Sequence, residues 1–383
     1  MEFKLDRSKE YALALEGGGG RGAYEVGAWQ ALAEEGIRFC AVSGTSVGAI
    51  NGAAVTAGQL ETAVRFWKDI TYSQVMEVDD SVMDKLVRKD ITNLDIREAA
   101  KTLTDTLRNR GFDITPLKKT LQKAIDDKAV LDSPIEFYIV TFSVDDMKGV
   151  VVRAKDLAPG ELYDMLLASA YLPVFRSEKL GGRRYIDGGL SNRLPISTLS
   201  ERGYKSIIAV ELNSIGPIQR YEDPDLDVHY IKPVSDIGSM MQFEPALSER
   251  NLRLGYYDAK KMMYGLSGSI YYIDRKMTEP EAYSLLLRFI KGYGHSRGSD
   301  YTDRVINERI IPSLASRLKV SRSGSYYDIF IAALENAAEN AEIERFAYYT
   351  EQELLSKVLK VYDPAAGVIP RSFGRALPSL QIR

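Results

Sequence analysis

The sequence repeats one local pattern twice near its beginning. A short apolar run, Tyr11–Leu15, ends in glycines and is followed by apolar residues at helical spacing from Ala23 to Glu35. After Gly36 comes a second apolar run, Phe39–Val42, then a turn of small residues and a second helical stretch, Ala49–Ala57. The order strand, small-residue turn, helix therefore predicts two βα units in tandem.

Strands continue to alternate with helices beyond these units. Residues 59–130 are charged and helical in texture, with Pro116 at the start of a helix over Leu117–Ile125, and we interpret them as a helical insertion. The later predicted elements are strands at Ile135–Phe142, Gly149–Arg153, Arg184–Ile186 and Ser206–Leu212, and a helix at Leu162–Ala170. This alternation predicts an α/β fold with a mostly parallel sheet covered by helices on both faces.

The C-terminal part has a different texture. From about residue 278 the pattern is helical throughout, over Glu281–Lys291, Tyr301–Leu318 and Tyr326–Leu359, with a glycine-rich joint at Gly292–Gly298. Residues 362–383 contain three prolines and little periodicity, which predicts an irregular tail.

Composition excludes several classes of protein. No apolar run approaches the roughly 18 residues that cross a bilayer, and the first ten residues interleave charges where a secretory signal is apolar. The formal net charge of −3 gives no overall electrostatic footprint for nucleic acid. Cys40 is the one cysteine, so neither an internal disulfide nor a cysteine-based metal site can form. We expect a cytoplasmic protein without a metal or other cofactor.

The strongest motif is a G-x-S-x-G turn between the second predicted strand and its helix. Gly44 and Gly48 flank Ser46, and small residues at these positions allow a sharp turn that exposes the serine hydroxyl above the sheet. The start of the following helix favours developing negative charge. The pattern indicates a nucleophile elbow, and the alternative is a turn whose small residues serve packing alone.

A second glycine-rich turn, Gly17–Gly22, lies one βα unit upstream. In a parallel sheet the two turns open at the same edge, and the amides of such a turn can form a cradle for an oxyanion at Ser46. Arg21 either anchors this loop or attracts phosphate. The turn also matches a dinucleotide-binding fingerprint, but Ser43–Ser46 stands where that fingerprint needs an acidic residue to hold a ribose. No P-loop sequence follows.

The choice of a base is narrow, because His229 and His295 are the only histidines. Asp187 follows a short predicted strand and precedes Gly188 and Gly189, which let the backbone turn closely behind it. A carboxylate with a pKa near 4 is a weak base for a serine, and a dry site that raises its pKa would help. Asp187 is thus the candidate base, and the alternative is a buried aspartate that stabilises a turn.

Four motifs in order make the chain resemble the patatin-like phospholipases. They are Gly17–Gly22, Gly44–Gly48, Ala168–Phe175 and Asp187–Pro195, within residues 11–212, and a looser likeness extends to about residue 275. The resemblance implies Ser46 as nucleophile, Asp187 as base and an oxyanion hole around Gly18, Gly19 and Gly20. It also implies a three-layer α/β/α sandwich and hydrolysis of lipid acyl esters without a metal. The third motif has Tyr171-Leu172 where a tighter Ala-x-Pro is usual, so this wall of the pocket departs from the family pattern.

We therefore expect a patatin-like catalytic domain over 11–212 with the insertion at 59–130. An extension at 213–277, a helical region at 278–361 and the tail at 362–383 complete the expected layout. Two interpretations of the insertion stay open: a lid over an apolar acyl groove, or packing at the edge of the sheet.

The predicted function is a lipid acyl hydrolase of the phospholipase A or lysophospholipase type, acting on phospholipid or lysophospholipid through an acyl-Ser46 intermediate. One alternative is an acyltransferase with the same two residues. Another is an esterase in which His295 completes a Ser-His-Asp triad, and a third is a catalytically silent scaffold. Lipid substrates are compatible with transient contact at a membrane surface, whereas the oligomeric state stays open.

Overall fold

The computed structural model describes residues 2–83, 111–176, 178–296, 298–321 and 323–361. They form two compact units, one over Lys4–Met263 and one over the described residues from Tyr264 to Val361, which also includes Glu2 and Phe3. Within the described ranges, no helix is both long and apolar enough to cross a membrane.

An eight-stranded sheet forms the centre of the first unit. Its strands are β1 (Glu10–Leu15), β2 (Arg38–Thr45), β3 (Glu136–Ser143), β4 (Lys148–Arg153), β5 (Lys179–Leu180), β6 (Arg183–Asp187), β7 (Ser206–Val210) and β8 (Asp227–Ile231). Their order is β5-β6-β3-β2-β1-β7-β8, and β4 also pairs with β3. The pairs β3/β2, β2/β1, β1/β7 and β7/β8 are parallel, whereas β4, β5 and β6 pair antiparallel. The predicted mostly parallel α/β sheet is confirmed.

Helices cover both faces of this sheet. They are α1 (Ala23–Glu34), α2 (Val47–Thr56), α3 (Leu60–Lys68), α4 (Tyr72–Val75), α5 (Thr115–Ala124), α6 (Asp127–Leu131), α7 (Glu161–Ser169), α8 (Ile196–Ser200) and α9 (Pro245–Tyr264), with 3-10 turns at Gly19–Gly22, Ala154–Asp156 and Gly188–Leu190. Ile196 and Leu199 of α8 share a core cluster with Ala12 and Ala14 of β1. On α2, Gly52 lies against Phe137 and Val42, which lie on the other face because successive strand residues alternate.

The described parts of the predicted insertion are helical. They contain α3 to α6, and Pro116 lies in the first turn of α5 as the sequence indicates. Residues 84–110 of the insertion lie outside the described ranges. Helix α9, which follows the sheet, crosses α1 closely: a Cβ at Gly255 would lie 1.8 Å from the Tyr24 carbonyl oxygen, and one at Gly27 would lie 1.9 Å from that of Leu252. Glycine at these positions permits the close crossing.

The second unit is mainly helical. It contains α10 (Glu279–Ser296), α11 (Asp303–Val305), a π-helical turn (Ile306–Ile310), α12 (Ile311–Arg317), α13 (Tyr326–Asn340) and α14 (Glu351–Val361), with the short parallel pair β9 (Tyr272–Ile273) and β10 (Tyr348–Tyr349). Its buried cluster includes Leu286, Ile310, Phe330 and Leu354.

Two expectations for this unit are wrong. The single helix predicted over Tyr326–Leu359 is two helices, because Glu342 has a φ of 53° that ends the first and β10 then pairs with β9. The glycine joint begins later than predicted, since Gly292 and Gly294 lie within α10. A Cβ at Gly294 would lie 2.5 Å from the Ser299 carbonyl oxygen, so this glycine allows a close approach. The predicted irregular tail, 362–383, lies outside the described residues.

Candidate active site

Ser46 forms a strained turn between β2 and α2. Its φ of 55° and ψ of −126° place a non-glycine residue in a sparsely populated region, and its side chain is buried. A Cβ at Gly44 would lie 2.2 Å from the Gly48 carbonyl oxygen, and one at Gly48 would lie 2.5 Å from that of Leu15. Both glycines are therefore required for the turn, which has the geometry of a nucleophile elbow.

A buried serine from the third motif supports this turn. The Ser46 amide donates to Ser169 Oγ at 2.8 Å, and the Ser169 hydroxyl donates to the Val140 carbonyl oxygen at 2.6 Å. The hydroxyl thus links the elbow to β3, across 123 positions of sequence. Sequence reasoning included Ser169 in the third motif but did not assign it this role.

Strand β3 brings Asp187 next to the elbow. Residues 138–140 of β3 pair with β2 on one edge and with β4 on the other, while residues 141–143 pair with β4 and β6. Strand β6 therefore occupies the same edge of β3 as β2, just beyond the point where β2 ends. Thr45 is opposite Val140, and Asp187 is opposite Thr141. Adjacent register positions on one strand thus bring together the ends of β2 and β6.

The Asp187 carboxyl has an unusual environment. Burial raises its pKa from 3.8 to about 6, and hydrogen bonds from Ser46 and the Gly189 amide oppose this shift only in part. Oδ1 accepts from the Gly189 amide at 2.8 Å. Oδ2 is buried and makes no well-formed hydrogen bond among the described residues, so its interaction with Ser46 is a loose one. Catalytic hydrogen bonds are often loose in unliganded enzymes. Oδ2 is thus the oxygen available to take up a proton.

The glycine turn lies beside the elbow. A Cβ on Gly17 would be 3.1 Å from the Ser46 Cβ, whereas one on Gly19, whose φ is 56°, would be 2.2 Å from the Met240 carbonyl oxygen. The Gly20 amide donates to that same carbonyl at 2.8 Å. The amides of Gly18 and Gly19 make no such bond within the part of the chain that the structure describes. Of the three predicted oxyanion donors, Gly20 is therefore already engaged.

Buried charges hold this loop and the neighbouring strand ends. Arg21 donates to the Gly238 carbonyl oxygen at 2.8 Å, so it anchors the loop, the first of the two roles left open. Glu16, fully buried, pairs with Arg193 and accepts from the Leu212 and Ser214 amides. The pairing of Glu16 with Arg193 has no local sequence signal, because 177 positions separate the two residues.

Two cavities meet at Ser46. The first, of about 40 Å³, is narrow and apolar, and is lined by residues of α2 to α5 and of the third motif, including Phe66, Trp67, Leu117 and Phe175. The second, of about 260 Å³, is wider and contains Asp187, Arg193 and Leu172. The described part of the insertion therefore forms one wall of the apolar cavity. This is the position expected of a lid, although α3 also packs on α1 and α2, and α5 packs on α7.

A buried polar network supports the apolar cavity. The Trp67 indole donates to Asn51 Oδ1 at 3.0 Å, and Asn51 Nδ2 donates to Glu25 Oε2 at 2.8 Å. Burial raises the pKa of Glu25 well above its ordinary value, an effect larger than that of the Asn51 hydrogen bond. Through these two hydrogen bonds Glu25 orients Asn51, which in turn orients Trp67.

Neither histidine has the setting of a buried catalytic base. His229 packs edge-on against Tyr11 and lies 3.2 Å from Asp227. His295 belongs to the second unit, its side chain is 86% exposed, and its nearest acidic partner is the equally exposed Asp300. Among the described residues, no group of three or more histidine, cysteine or acidic side chains is arranged to hold a metal ion.

The site combines a strained serine turn with an adjacent buried aspartate and a glycine loop, on a mostly parallel α/β sheet. This is the arrangement that the sequence resemblance predicts for the patatin-like class of protein. Residues 13–200, just under half of the chain, match the family model described as patatin-like phospholipase, and this part of the chain is a patatin-like domain.

The similar proteins are mostly distant or much longer. Patatin-like phospholipase domain-containing protein 7 of Rattus norvegicus is 28% identical over 209 residues, which cover 53% of this chain and 14% of that protein. An uncharacterized NTE family protein of Mycobacterium tuberculosis is 27% identical over 234 residues, 60% of this chain and 57% of its own length. The crystal structure of VipD from Legionella pneumophila has 13% identity and a TM-score of 0.41, covering 97% of this chain and 89% of that one. The chain thus spans about one seventh of the length of the rat protein and somewhat over half of the length of the mycobacterial protein.

Proposed function

We propose that the protein is a lipid acyl hydrolase of the phospholipase A or lysophospholipase type, with Ser46 as nucleophile and Asp187 as base. The observation that carries this proposal is the placement of a strained, buried serine beside a carboxyl whose pKa is raised to about 6. Family membership supports chemistry on acyl esters. The whole protein's substrates are part of the proposal.

The proposed reaction has two steps. Ser46 Oγ attacks the ester carbonyl carbon while Oδ2 of Asp187 takes up the hydroxyl proton, and the oxyanion accepts from the amides of Gly18 and Gly19. Collapse of this intermediate releases the alcohol, which takes the proton from Asp187, and leaves an acyl-Ser46 ester. Water then attacks the ester with Asp187 again as base, which releases the fatty acid and restores Ser46.

The two cavities suggest how a lipid binds. The apolar cavity is suited to the acyl chain, and the wider cavity, which contains Arg193, is suited to the rest of the lipid. The apolar cavity of about 40 Å³ holds little more than a water or two. A long acyl chain therefore requires side chains of α3 and α5 to move. The proposed setting is the cytoplasm, with transient contact at a membrane surface, where such lipids reside.

The direct test is mass spectrometry of mixed phospholipid vesicles after incubation with the wild-type protein or with Ser46→Ala. We expect free fatty acid and lysolipid with the wild type alone. Added glycerol or lysolipid as acceptor shows whether the acyl group is also transferred to an alcohol, which is the acyltransferase alternative. Products that are equal with both proteins would refute Ser46 as the nucleophile.

A second variant separates the dyad from a triad. His295→Ala should retain full turnover, since the side chain is 86% exposed. Loss of turnover in a folded His295→Ala protein would instead support the Ser-His-Asp alternative.

A further inference from the structure

Apolar side chains surround the mouth of the wider cavity and face solvent. We call this set the entrance rim. It consists of Pro173, Leu190, Ile215 and Pro217, which line the cavity, and of the exposed Val174, which follows Pro173 in the chain. Ile215 is 98% exposed, Leu190 55% and Val174 44%. Soluble proteins expose single apolar residues commonly, but several around one opening mark a contact surface.

The loops of the rim are fixed to one another. The Arg193 amide donates to the Pro217 carbonyl oxygen at 2.9 Å, and Arg193 Nε donates to that of Gly216 at 3.1 Å. A Cβ at Gly216 would lie 2.8 Å from the Gly189 carbonyl oxygen. These contacts join the loop that carries Ile215 to the loop that follows Asp187. The backbone therefore presents Ile215 and Leu190 outward from a supported position.

Two basic side chains lie in the loop segments that adjoin the rim. The protein carries 50 basic and 53 acidic side chains. Next to the rim, Arg220 and Lys232 are exposed and have no ion pair among the described residues, and Asp236 is the one acidic residue in 212–221 and 232–243. Asn213, two residues before Ile215, donates to the Pro233 carbonyl oxygen at 2.8 Å, which holds the loop of Lys232 beside the rim.

We propose that the entrance rim docks on the surface of an anionic lipid bilayer and that Ile215 and Val174 insert into it. The proposal rests on the proposed function, because the rim borders the cavity that contains Ser46 and Asp187. Apolar side chains lose contact with water when they enter the acyl boundary, and nearby cations interact with lipid phosphates. A lipid leaving the bilayer then reaches Ser46 without crossing water.

The test uses the full chain with Ser46→Ala, which binds without hydrolysis, and vesicles of equal parts phosphatidylcholine and phosphatidylglycerol. We expect this parent protein to sediment with the vesicles, and Ile215→Ser with Val174→Ser to reduce its partition coefficient at least about tenfold. Val151→Ser is the matched control, because Val151 is 39% exposed but lies on β4, on the edge of β3 opposite to β2 and β6. The control should sediment like the parent. A parent that stays in solution, or a double variant that sediments equally, would overturn the proposal and leave the rim to another partner.

A second variant guards against a folding defect. Ile215→Trp, with Ser46→Ala, should bind at least as tightly as the parent, because tryptophan favours the bilayer interface. Its fluorescence should shift to shorter wavelength on the vesicles, whereas the native Trp29 and Trp67 are already buried. An unshifted spectrum with bound protein would show that position 215 stays in water, and would contradict insertion.

Soluble substrate separates this proposal from the proposed function. In the protein with Ser46 intact, Ile215→Ser with Val174→Ser should hydrolyse p-nitrophenyl butyrate like the wild type but vesicle lipids more slowly. If the wild type hydrolyses neither substrate, the proposed function fails, while the sedimentation results still decide the docking proposal. If the double variant loses both activities and also its thermal transition, the result with Ile215→Trp decides.

Discussion

At the residue scale, the protonation of Asp187 governs the proposed chemistry. Its carboxyl must be ionised to accept the Ser46 proton, and burial raises its pKa to about 6. We therefore expect kcat/KM for a soluble ester to increase as the pH rises through about 6 and to level off above it. Asp187→Asn should lower kcat by about 10²-fold to 10⁴-fold with the fold retained. A profile that rises near pH 4, or a fully active Asn variant, would contradict the assignment.

The same shift has a consequence for stability. A raised pKa in the folded state means that ionisation of Asp187 costs free energy in the native protein. The cost is absent below about pH 4, develops as the pH rises from about 4 to 6, and is complete above that range. Asp187→Asn should therefore increase the free energy of unfolding at neutral pH, by up to about 3 kcal/mol, and lose this advantage in acid. Urea unfolding at several pH values measures the difference, and a pH-independent difference would contradict it.

Ser169 offers a second residue-scale prediction. Ser169→Ala removes the acceptor of the Ser46 amide and leaves the strained turn without its link to β3. We expect the free energy of unfolding to fall by about 1–3 kcal/mol. We expect kcat to decrease by at most about tenfold, with KM little changed. The control is Ser43→Ala, since Ser43 is equally buried but donates to the Pro195 carbonyl oxygen, away from the turn. It should cost similar stability and keep kcat, and equal kcat losses in both variants would refute the positioning role.

The two proposed catalytic residues could be named as candidates from the sequence, because the residues next to them in the chain carry the signal. Ser46 lies between Gly44 and Gly48, which have no room for a Cβ, and Asp187 precedes Gly188, where a Cβ would lie 2.2 Å from the Val140 carbonyl oxygen. Ser169, Glu16 and Arg193 were not assigned their roles, because their hydrogen-bond partners are far away in sequence. The engaged amide of Gly20 escaped prediction for the same reason, since its acceptor Met240 belongs to a loop after the last strand of the sheet.

At the scale of elements, the glycine turn combines two separate requirements. Gly19, in this turn, needs a positive φ and has no room for a Cβ. Gly36, which follows α1, serves as a comparison: it also has a positive φ, of 75°, but nothing lies within 4 Å of the position of a Cβ. Gly36→Ala should therefore cost only the conformational penalty, about 1–2 kcal/mol, and keep activity. Gly19→Ala should cost more and lower kcat by about 10²-fold, because the oxyanion donors shift. Thermal unfolding and ester turnover compare the two, and equal effects would show that the turn's contact with Met240 is unimportant.

Elements were predicted well where periodicity is strong. Strands β1 to β4, β6 and β7 and helices α1, α2, α5 and α7 occur within a few residues of their predicted positions. Strands β5, β9 and β10 contain two residues each and show no period. Strand β8 pairs at the edge of the sheet with Asp227 and His229 among its residues, so it lacks a continuous apolar run. The break between α13 and α14 depends on a tertiary pairing, which local helical propensity cannot reveal.

At the scale of the molecule, all the proposed catalytic residues belong to the first unit. Each unit has its own buried core, and the sheet with α1 to α8 and all of α9 except its last residue lies within Lys4–Met263. We expect the fragment 4–263 to unfold cooperatively by itself and to hydrolyse a short soluble ester at a rate near that of the full chain. Calorimetry and p-nitrophenyl butyrate turnover measure both properties. A fragment that is unfolded, or folded but inactive, would show that the second unit is needed for the site.

The fold class followed from the alternation of strands and helices, but the division into units did not. Texture changes at about residue 278, whereas the structural boundary lies at Met263 and Tyr264. Helical texture cannot distinguish the end of α9 from the beginning of a new core, because both sides of the boundary have helical or irregular sequence. Only the packing partners of each segment assign it to a unit.

Strands β2 and β6 pair with the same edge of β3, and this arrangement allows the segment between them to vary. The ends of these two strands pair with neighbouring residues of β3, and this pairing sets the distance between them. The distance therefore does not depend on the length of chain from Ser46 to Asp187. That stretch contains the helical insertion, whose helices contribute to the wall of the apolar cavity. Segments added or exchanged there can change which substrate fits while the spacing of the proposed nucleophile and base is preserved. The architecture separates selectivity from reactivity, and grafting insertions between relatives is a direct route to new substrate preferences.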